Sequence, residues 1–337
     1  MARVAVVTGG SAGIGLATAH HFARHGWSVA IIARDEARLR QAETALREYG
    51  RPILTISADV SDADAVDAAA KRIEAELGPI RAWVNNAMST VINPADRVTP
   101  DEYRRVTETT YLSLVFGTLA ALRHMKPRNR GAIIQVSSGL AIRAAPLQAP
   151  YCGAKFAASG FTDALRAELI HDRVDVSLSV IYLPAVNTPQ FDWSRSRTGH
   201  RHHAPDPVFD PRLCAEAIYY AAVHPRREVW VGRSAVMMAV AQTLVPSFAD
   251  SQAAKAWEQQ LGEDTTDQRG NLDEPVHGPA AIDGRFKDRT KSTRSEFWTS
   301  RERDLVVAGL VGAFVLGAAA LVAAASAPRR LLPRPRG

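Results

Sequence analysis

Cysteine is nearly absent from this chain of 337 residues, which holds only Cys152 and Cys214. With no CxxC pair, no disulfide framework is implied, and the two thiols are expected to be reduced in a cytosolic compartment. Lysine is scarce too: six of the 41 basic residues are lysine, so the formal charge of +6 is carried by guanidinium groups. The arginines form no runs interleaved with aromatics, and aromatics make up only 7% of the chain. No nucleic-acid groove is therefore expected. The excess charge gathers near the C-terminus and between Arg195 and His203, which suits an anionic surface instead. His202 and His203 have no carboxylate or cysteine at ligand spacing, so no metal site is expected. A cleavable leader is not expected either, because Met1 runs straight into a strand and a glycine turn.

What is plentiful is material for a core. Hydrophobic residues make up 46% and charged residues 23% of the chain. That balance is globular, and the length allows one α/β domain of about 250 residues with an appendage. Short β-branched runs recur at 4–8, 28–32, 53–57, 82–84, 132–137, 176–181 and 228–231. Amphipathic stretches at 14–25, 36–49, 63–77, 101–125, 151–171 and 212–222 separate them, each long enough for a crossover helix. The alternation predicts an α/β fold, a doubly wound parallel sheet of about seven strands with ligands held beyond the strands' C-terminal ends.

After residue 235 the alternation stops. The expected order is a catalytic domain over 1–235, an apolar extension over 236–262 that contains Met237 and Met238, a polar linker over 263–304, an apolar span and a basic tail over 328–337. The span, from Leu305 to Ala327, carries no charge and is long enough to cross about 30 Å of hydrocarbon as a single transmembrane helix. A buried core helix needs a domain around it, whereas here a polar linker and an Arg/Pro-rich tail flank the span. Small residues at Gly309, Ala313 and Gly317 share one face, a spacing that Ala-rich sequence also produces by chance. Arginines stand on both sides, so charge does not set the orientation. Cofactor supply argues for a single-pass membrane protein whose catalytic domain faces the cytoplasm.

The first strand opens onto Thr8-Gly9-Gly10-Ser11-Ala12-Gly13-Ile14-Gly15 and then a helix. Such a turn brings backbone N–H groups and a helix N-terminus against a pyrophosphate, where side chains would block it. At the end of the second strand, Ala33 followed by Arg34 leaves space and a cation for an adenosine 2′-phosphate, which favours NADP(H); Asp35 beside it is a candidate helix cap. Asp59 and Val60 follow the third strand, where they meet an adenine edge. Asn85, Asn86 and Ala87 follow the fourth, where they tie strands together under the cofactor. Ser138 follows the fifth, and Tyr151 and Lys155, four apart, share one face of the next helix. A phenol with a pKa near 10 is a poor acid, but an ammonium beside it favours the phenolate and eases release of the proton. Tyr151 then serves as general acid in carbonyl reduction, with Ser138 holding the carbonyl oxygen and Lys155 also binding the nicotinamide ribose.

In this order, TGGSAGIG, Asp59, NNA, Ser138 and YCGAK resemble the short-chain dehydrogenase/reductase family over about residues 1–235. The resemblance implies a Rossmann-like fold, a nicotinamide cofactor and a Ser-Tyr-Lys mechanism. It also implies that Pro184, Val186 and Thr188 support the nicotinamide carboxamide. Met88 and Ala185 stand where the family has glycine, and Thr110 falls at the family's catalytic Asn, which alters the proton relay. The loop 190–211, with Phe191, Trp193, Arg195 and Arg197, takes the family's substrate-lid position. Its aromatics suit an apolar carbonyl or alcohol, and its cations an acidic group, a lipid surface or plain solvation. The family's pairing helices, here starting near Asp101 and Tyr151, imply a homodimer or homotetramer. A rival reading from the three departures is a membrane-anchored NADPH-binding protein with little catalysis, acting as a redox-responsive or assembly factor.

Overall fold

The structure is a computed structural model that describes residues 3–293 and 296–302 and, beyond them, 304, 305, 308, 309, 312 and 317. It divides into two compact units, residues 1–298 and 299–337. The strands of the main sheet are β1 (Val4–Thr8), β2 (Ser28–Ala33), β3 (Ile53–Ser57), β4 (Ile80–Asn85), β5 (Gly131–Ser138), β6 (Val176–Leu183), β7 (Glu228–Val231) and β8 (Phe297–Thr299). Their order across the sheet is β8-β7-β6-β5-β4-β1-β2-β3. β1 through β7 pair in parallel. All seven expected strands are present. The eighth, β8, comes from the stretch read as a polar linker, and three residues are too short to show a period.

The longer helices are α1 (Gly13–Arg24), α2 (Glu36–Arg47), α3 (Ala63–Glu76), α4 (Pro100–Thr107), α5 (Ser113–Met125), α6 (Ala149–His171), α7 (Pro211–Val223), α8 (Arg233–Leu244) and α9 (Pro246–Gln259). Several begin where the sequence supplies a cap. Asp35 accepts from the Arg38 N–H at 2.9 Å to start α2. Thr99 and Glu102 form a capping box ahead of α4, with Pro100 in its first turn. Strand residues alternate between the faces: Ala5 and Val7 pack with Leu16, Phe22 and Leu39, and with Leu213 and Ile218 of α7, while Val4 and Val6 pack with Val66, Ala120, Leu165 and Leu169. Burial on both faces explains why the strands read as continuous apolar runs.

Two expectations meet a different arrangement. The single helix read over 101–125 is interrupted by a wider π turn at Glu108–Leu112. Residues 263–293, read as a linker, are hydrogen-bonded onto the body of the first unit at Arg34, Asn187, Trp193 and Gly13. Their polarity is that of a chain paired through its backbone at a surface. Of the apolar span 305–327, only 305, 308, 309, 312 and 317 are described; the rest of the expected transmembrane helix and the basic tail lie outside the described residues. Among the described residues, no helix is long and apolar enough to cross a membrane.

Candidate active site

Strand order reverses at β1, which pairs with β2 on one side and β4 on the other, so a crevice opens beyond their C-terminal ends. The glycine turn forms its floor. A Cβ at Gly15 would overlap the Gly9 carbonyl oxygen and lie 2.7 Å from Asn86 Nδ2, so only glycine lets the turn close on the next strand. Asn86 Nδ2 donates to Thr8 O and Gly9 O at 3.0 and 3.3 Å, and Thr8 Oγ1 accepts from Asn86 N and Ala87 N. Thr8 and Gly15 thus shape the turn from beneath, while Gly9, Ser11, Ala12, Gly13 and Ile14 face the cavity. Asn85 binds β4 to β5 by donating to Gln135 Oε1 at 2.8 Å. The pair Asn85-Asn86 ties three strands together, as its position at the strand end predicts.

At the other end, Arg34, Asp59 and Val60 line the same cavity. Asp35 takes the cap of α2, leaving the Arg34 guanidinium free of that role. Asp35 is almost fully buried; burial raises its pKa, but the Arg38 backbone N–H and guanidinium outweigh this and hold the carboxyl below its usual range. Arg38 also stacks on Trp193, its guanidinium carbon 4.3 Å from the ring centroid. Burial likewise raises Asp59, but the Ser61 N–H and the Arg105 guanidinium at 2.5 Å outweigh it and hold the carboxyl below its usual range.

Ser138 at the end of β5 meets Tyr151 and Lys155 on α6, and all three line the cavity. The Ser138 hydroxyl, which accepts from Leu140 N at 3.1 Å, lies close enough to the Tyr151 phenol to favour its ionised form. Lys155 Nζ donates to Val136 O at 2.8 Å and stands 5.6 Å from the Tyr151 ring centroid. Burial pushes the Tyr151 phenol above its ordinary pKa, with Ser138 acting the other way. Burial also lowers Lys155 to about 8. The expected lowering of the phenol by the ammonium is thus not the dominant effect here: desolvation of a group with so little water access exceeds it.

Thr110 does not reach the cavity. Its hydroxyl donates to Ser89 O at 3.0 Å and accepts from Ser89 N at 3.1 Å, pinning the segment after Asn86. The π turn rotates the helix so that Thr109 lines the cavity instead. Of the loop over the sheet, Ala87, Pro184, Val186 and Thr188 all line it.

The whole cavity measures about 830 Å³ and extends past the cofactor residues to Leu140, Phe191, Met237, Met238 and Phe248. Helices α8 and α9 therefore wall its outer part. The loop over 190–211 is ordered: Arg195–Ser196 pairs with Val91–Ile92, and Val208–Phe209 pairs with Ala185–Val186. Two of its three arginines are committed to the protein, since Arg195 and Arg197 reach the buried Glu102 at 3.4 and 3.1 Å. His202 is buried and its pKa is lowered to about 3 by desolvation, so it is neutral. Sequence reasoning missed Arg38, Thr109, Gln148 and Asn271, which also line the cavity. The Arg38 position, one turn into α2 after Asp35, is the only one with a local signal.

Residues 3–198 match the family model described as short chain dehydrogenase. The uncharacterized oxidoreductase YxnA of Bacillus subtilis (strain 168) is 31% identical over 321 residues, which cover 94% of this chain and 90% of that protein. A 3-dehydrosphinganine reductase of Danio rerio is 33% identical over 191 residues, 55% of this chain and 57% of that one. Among solved structures, an alcohol dehydrogenase from the archaeon Thermococcus sibiricus, complexed with 5-hydroxy-NADP, matches with a TM-score of 0.59 over 68% of this chain and 96% of that one; at 24% identity the likeness shows the fold. The family match over more than half of the chain places it: the protein belongs to the short-chain dehydrogenase family and is an oxidoreductase acting on CH–OH groups.

Proposed function

We propose that this protein is an NADP(H)-dependent reductase that interconverts a lipophilic ketone or aldehyde and its alcohol at Ser138, Tyr151 and Lys155. The observation that carries this is convergence: one cavity joins the glycine turn and Arg34 at one end to those three side chains at the other. The residues fit a dinucleotide, because the floor has no Cβ where a pyrophosphate must approach and a cation stands where a 2′-phosphate would lie. Ser11 to Ile14 would hold the pyrophosphate, Arg34 the 2′-phosphate, Asp59 and Val60 the adenine, and Asn86, Lys155 and Thr188 the nicotinamide half. When bound, such a cofactor supplies or accepts the hydride.

The chain's own groups handle the proton. Tyr151, kept protonated by burial, holds its proton at Oη for delivery to a carbonyl oxygen. The Ser138 hydroxyl, beside that phenol in the cavity, is placed to bind the same oxygen. Lys155, with its pKa near 8, supplies positive charge that stabilises the phenolate left behind. Thr110 holds backbone and exchanges no proton, so its difference from the family's Asn does not remove a member of this trio.

Three features support a lipophilic substrate. The outer cavity is lined by Leu140, Met237, Met238 and Phe248. Met237 and Phe248 are also 65% and 58% exposed, so an apolar path runs from the interior to the surface. The uncharged span 305–327 suits attachment to a membrane, the source of such a substrate; recovery of the full chain in the soluble fraction after cell lysis would count against that attachment. That a relative bears the name 3-dehydrosphinganine reductase supports the reductive direction. Exposed Leu119 and Phe156, on α5 and α6, support pairing of two copies.

The test is a fluorescence titration of the purified full chain with NADPH and NADH, repeated for Arg34→Ala and Tyr151→Phe. The expected result is tighter binding of NADPH, loss of that preference in Arg34→Ala, and loss of ketone reduction with retained NADPH binding in Tyr151→Phe. Failure to bind either nucleotide would sink the proposal.

A further inference from the structure

The segment that follows α9 turns back across the cofactor end of the cavity. Its first anchor is Asn271, whose N–H donates to Trp193 O at 2.7 Å and whose side chain donates to Gln190 Oε1 at 3.0 Å. Next, the carbonyls of Asn271 and Asp273 accept from the Arg34 guanidinium at 2.6 and 2.8 Å, and Leu272 O accepts from Arg105 Nε at 3.1 Å. Val276 O accepts from Arg38, and His277 Nδ1 lies 3.1 Å from Asp35 Oδ2. At the far end, Gly13 N of the glycine turn donates to Ala281 O at 2.9 Å, and Gly284 N donates to Asn187 O at 3.2 Å. Asn271, Pro275 and Val276 line the same cavity as Arg34 and Ser138.

Two properties of this crossing matter together. It grips the cofactor residues at both ends of the adenosine side, Arg34 and Gly13, and it does so through backbone carbonyls. Yet between residues 270 and 284 only Leu272 is buried, and Ala280 and Ile282 add only partly buried contacts with the core, so modest apolar surface holds it down. A segment with many exposed hydrogen bonds and few buried contacts belongs to the part of a protein that opens first.

We infer that residues 270–284 are a strap that completes the cofactor site, orienting Arg34 toward the adenosine 2′-phosphate and opening for the dinucleotide to enter and leave. The inference rests on the cofactor reading above and adds the residues that set how long the cofactor stays. It also joins the two halves of the cavity, since the strap holds Gln190 and Trp193 of the substrate loop with one residue and Arg34 with the next. Closure over the cofactor therefore fixes the substrate loop as well, and each ligand should favour binding of the other.

The experiment measures NADPH release from the full-length protein by stopped-flow fluorescence, with hydrogen exchange of peptides spanning 270–284 followed with and without NADPH. Two substitutions loosen the strap, one at its start and one at Leu272, which shares an apolar cluster with Tyr151, so NADPH release and not turnover is the readout. Gly270→Ala places a Cβ against the backbone of Trp193 and Arg195 at a positive φ of 62°. Leu272→Ala removes the strap's one buried side chain. The expected result is release about tenfold faster in each variant, the effect of losing one or two hydrogen bonds, with NADPH slowing exchange across the strap of the parent protein. Unchanged release in both variants, or exchange that NADPH does not slow in the parent, overturns the strap while leaving the cofactor reading standing. A parent protein that binds neither nucleotide overturns both, and the titration shows which failure has occurred.

Discussion

Replacing Lys155 by methionine should make the protein without nucleotide more stable at neutral pH while abolishing its chemistry. The ammonium is almost fully buried, its one hydrogen bond goes to Val136 O, and desolvation lowers its pKa from 10.5 to about 8. At about 1.4 kcal/mol for each pKa unit, keeping the charge buried costs the folded state roughly 3 kcal/mol. Loss of the bond to Val136 O offsets about 1 kcal/mol of the gain. The methionine variant is therefore more stable by about 2 kcal/mol below pH 8, or about 3 °C in Tm for a protein of this size. Between pH 8 and 10.5 the folded parent is neutral at Lys155 while its unfolded chain still binds the proton, so the parent's stability rises with pH. The variant's advantage shrinks across that window and is gone by its upper end. Thermal melts of both proteins at pH 7 and near pH 10.5 measure this. A methionine variant no more stable than the parent at pH 7, or an advantage that does not shrink with pH, would refute the account of Lys155 as a desolvated cation kept for function.

Two further substitutions probe the scaffold of the site. Gly15→Ala forces a Cβ onto the Gly9 carbonyl and disturbs Asn86, so it should lower Tm by roughly 2–4 °C and weaken dinucleotide binding; Gly160→Ala, where nothing lies within 4 Å, is the control and should not lower Tm. Thr110→Val leaves the Ser89 N–H and C=O unpaired and should cost about 1–3 kcal/mol in urea unfolding, whereas Thr110→Ser should retain most of the stability.

Local signals carried much of the fold. A β-branched run followed by a turn and an amphipathic stretch is written within about 30 residues, so β1 through β7 and the glycine turn were legible one unit at a time. The placement of the candidate site residues was legible for the same reason. Tyr151 and Lys155 sit four apart on one helix, Ser138 ends a strand, and Arg34 follows another, each by a spacing the backbone converts directly into position.

The tertiary structure decided whatever depends on partners distant in sequence. Arg34 lies more than 230 residues from the carbonyls that hold it, and backbone carbonyls carry no side-chain signature, so the strap looked like a linker. Arg195 and Arg197 looked like free cations until the fold set the buried Glu102 beside them. Thr109 rather than Thr110 faces the cavity because one π turn changes the helical phase, a change that ideal 3.6-residue periodicity does not encode. Sequence by itself determined the repeating units and the reactive groups at their ends, because those follow from short-range geometry. Which charges are spent, which hydroxyl faces the cavity and what closes over the cofactor follow from long-range packing, where the chain meets itself.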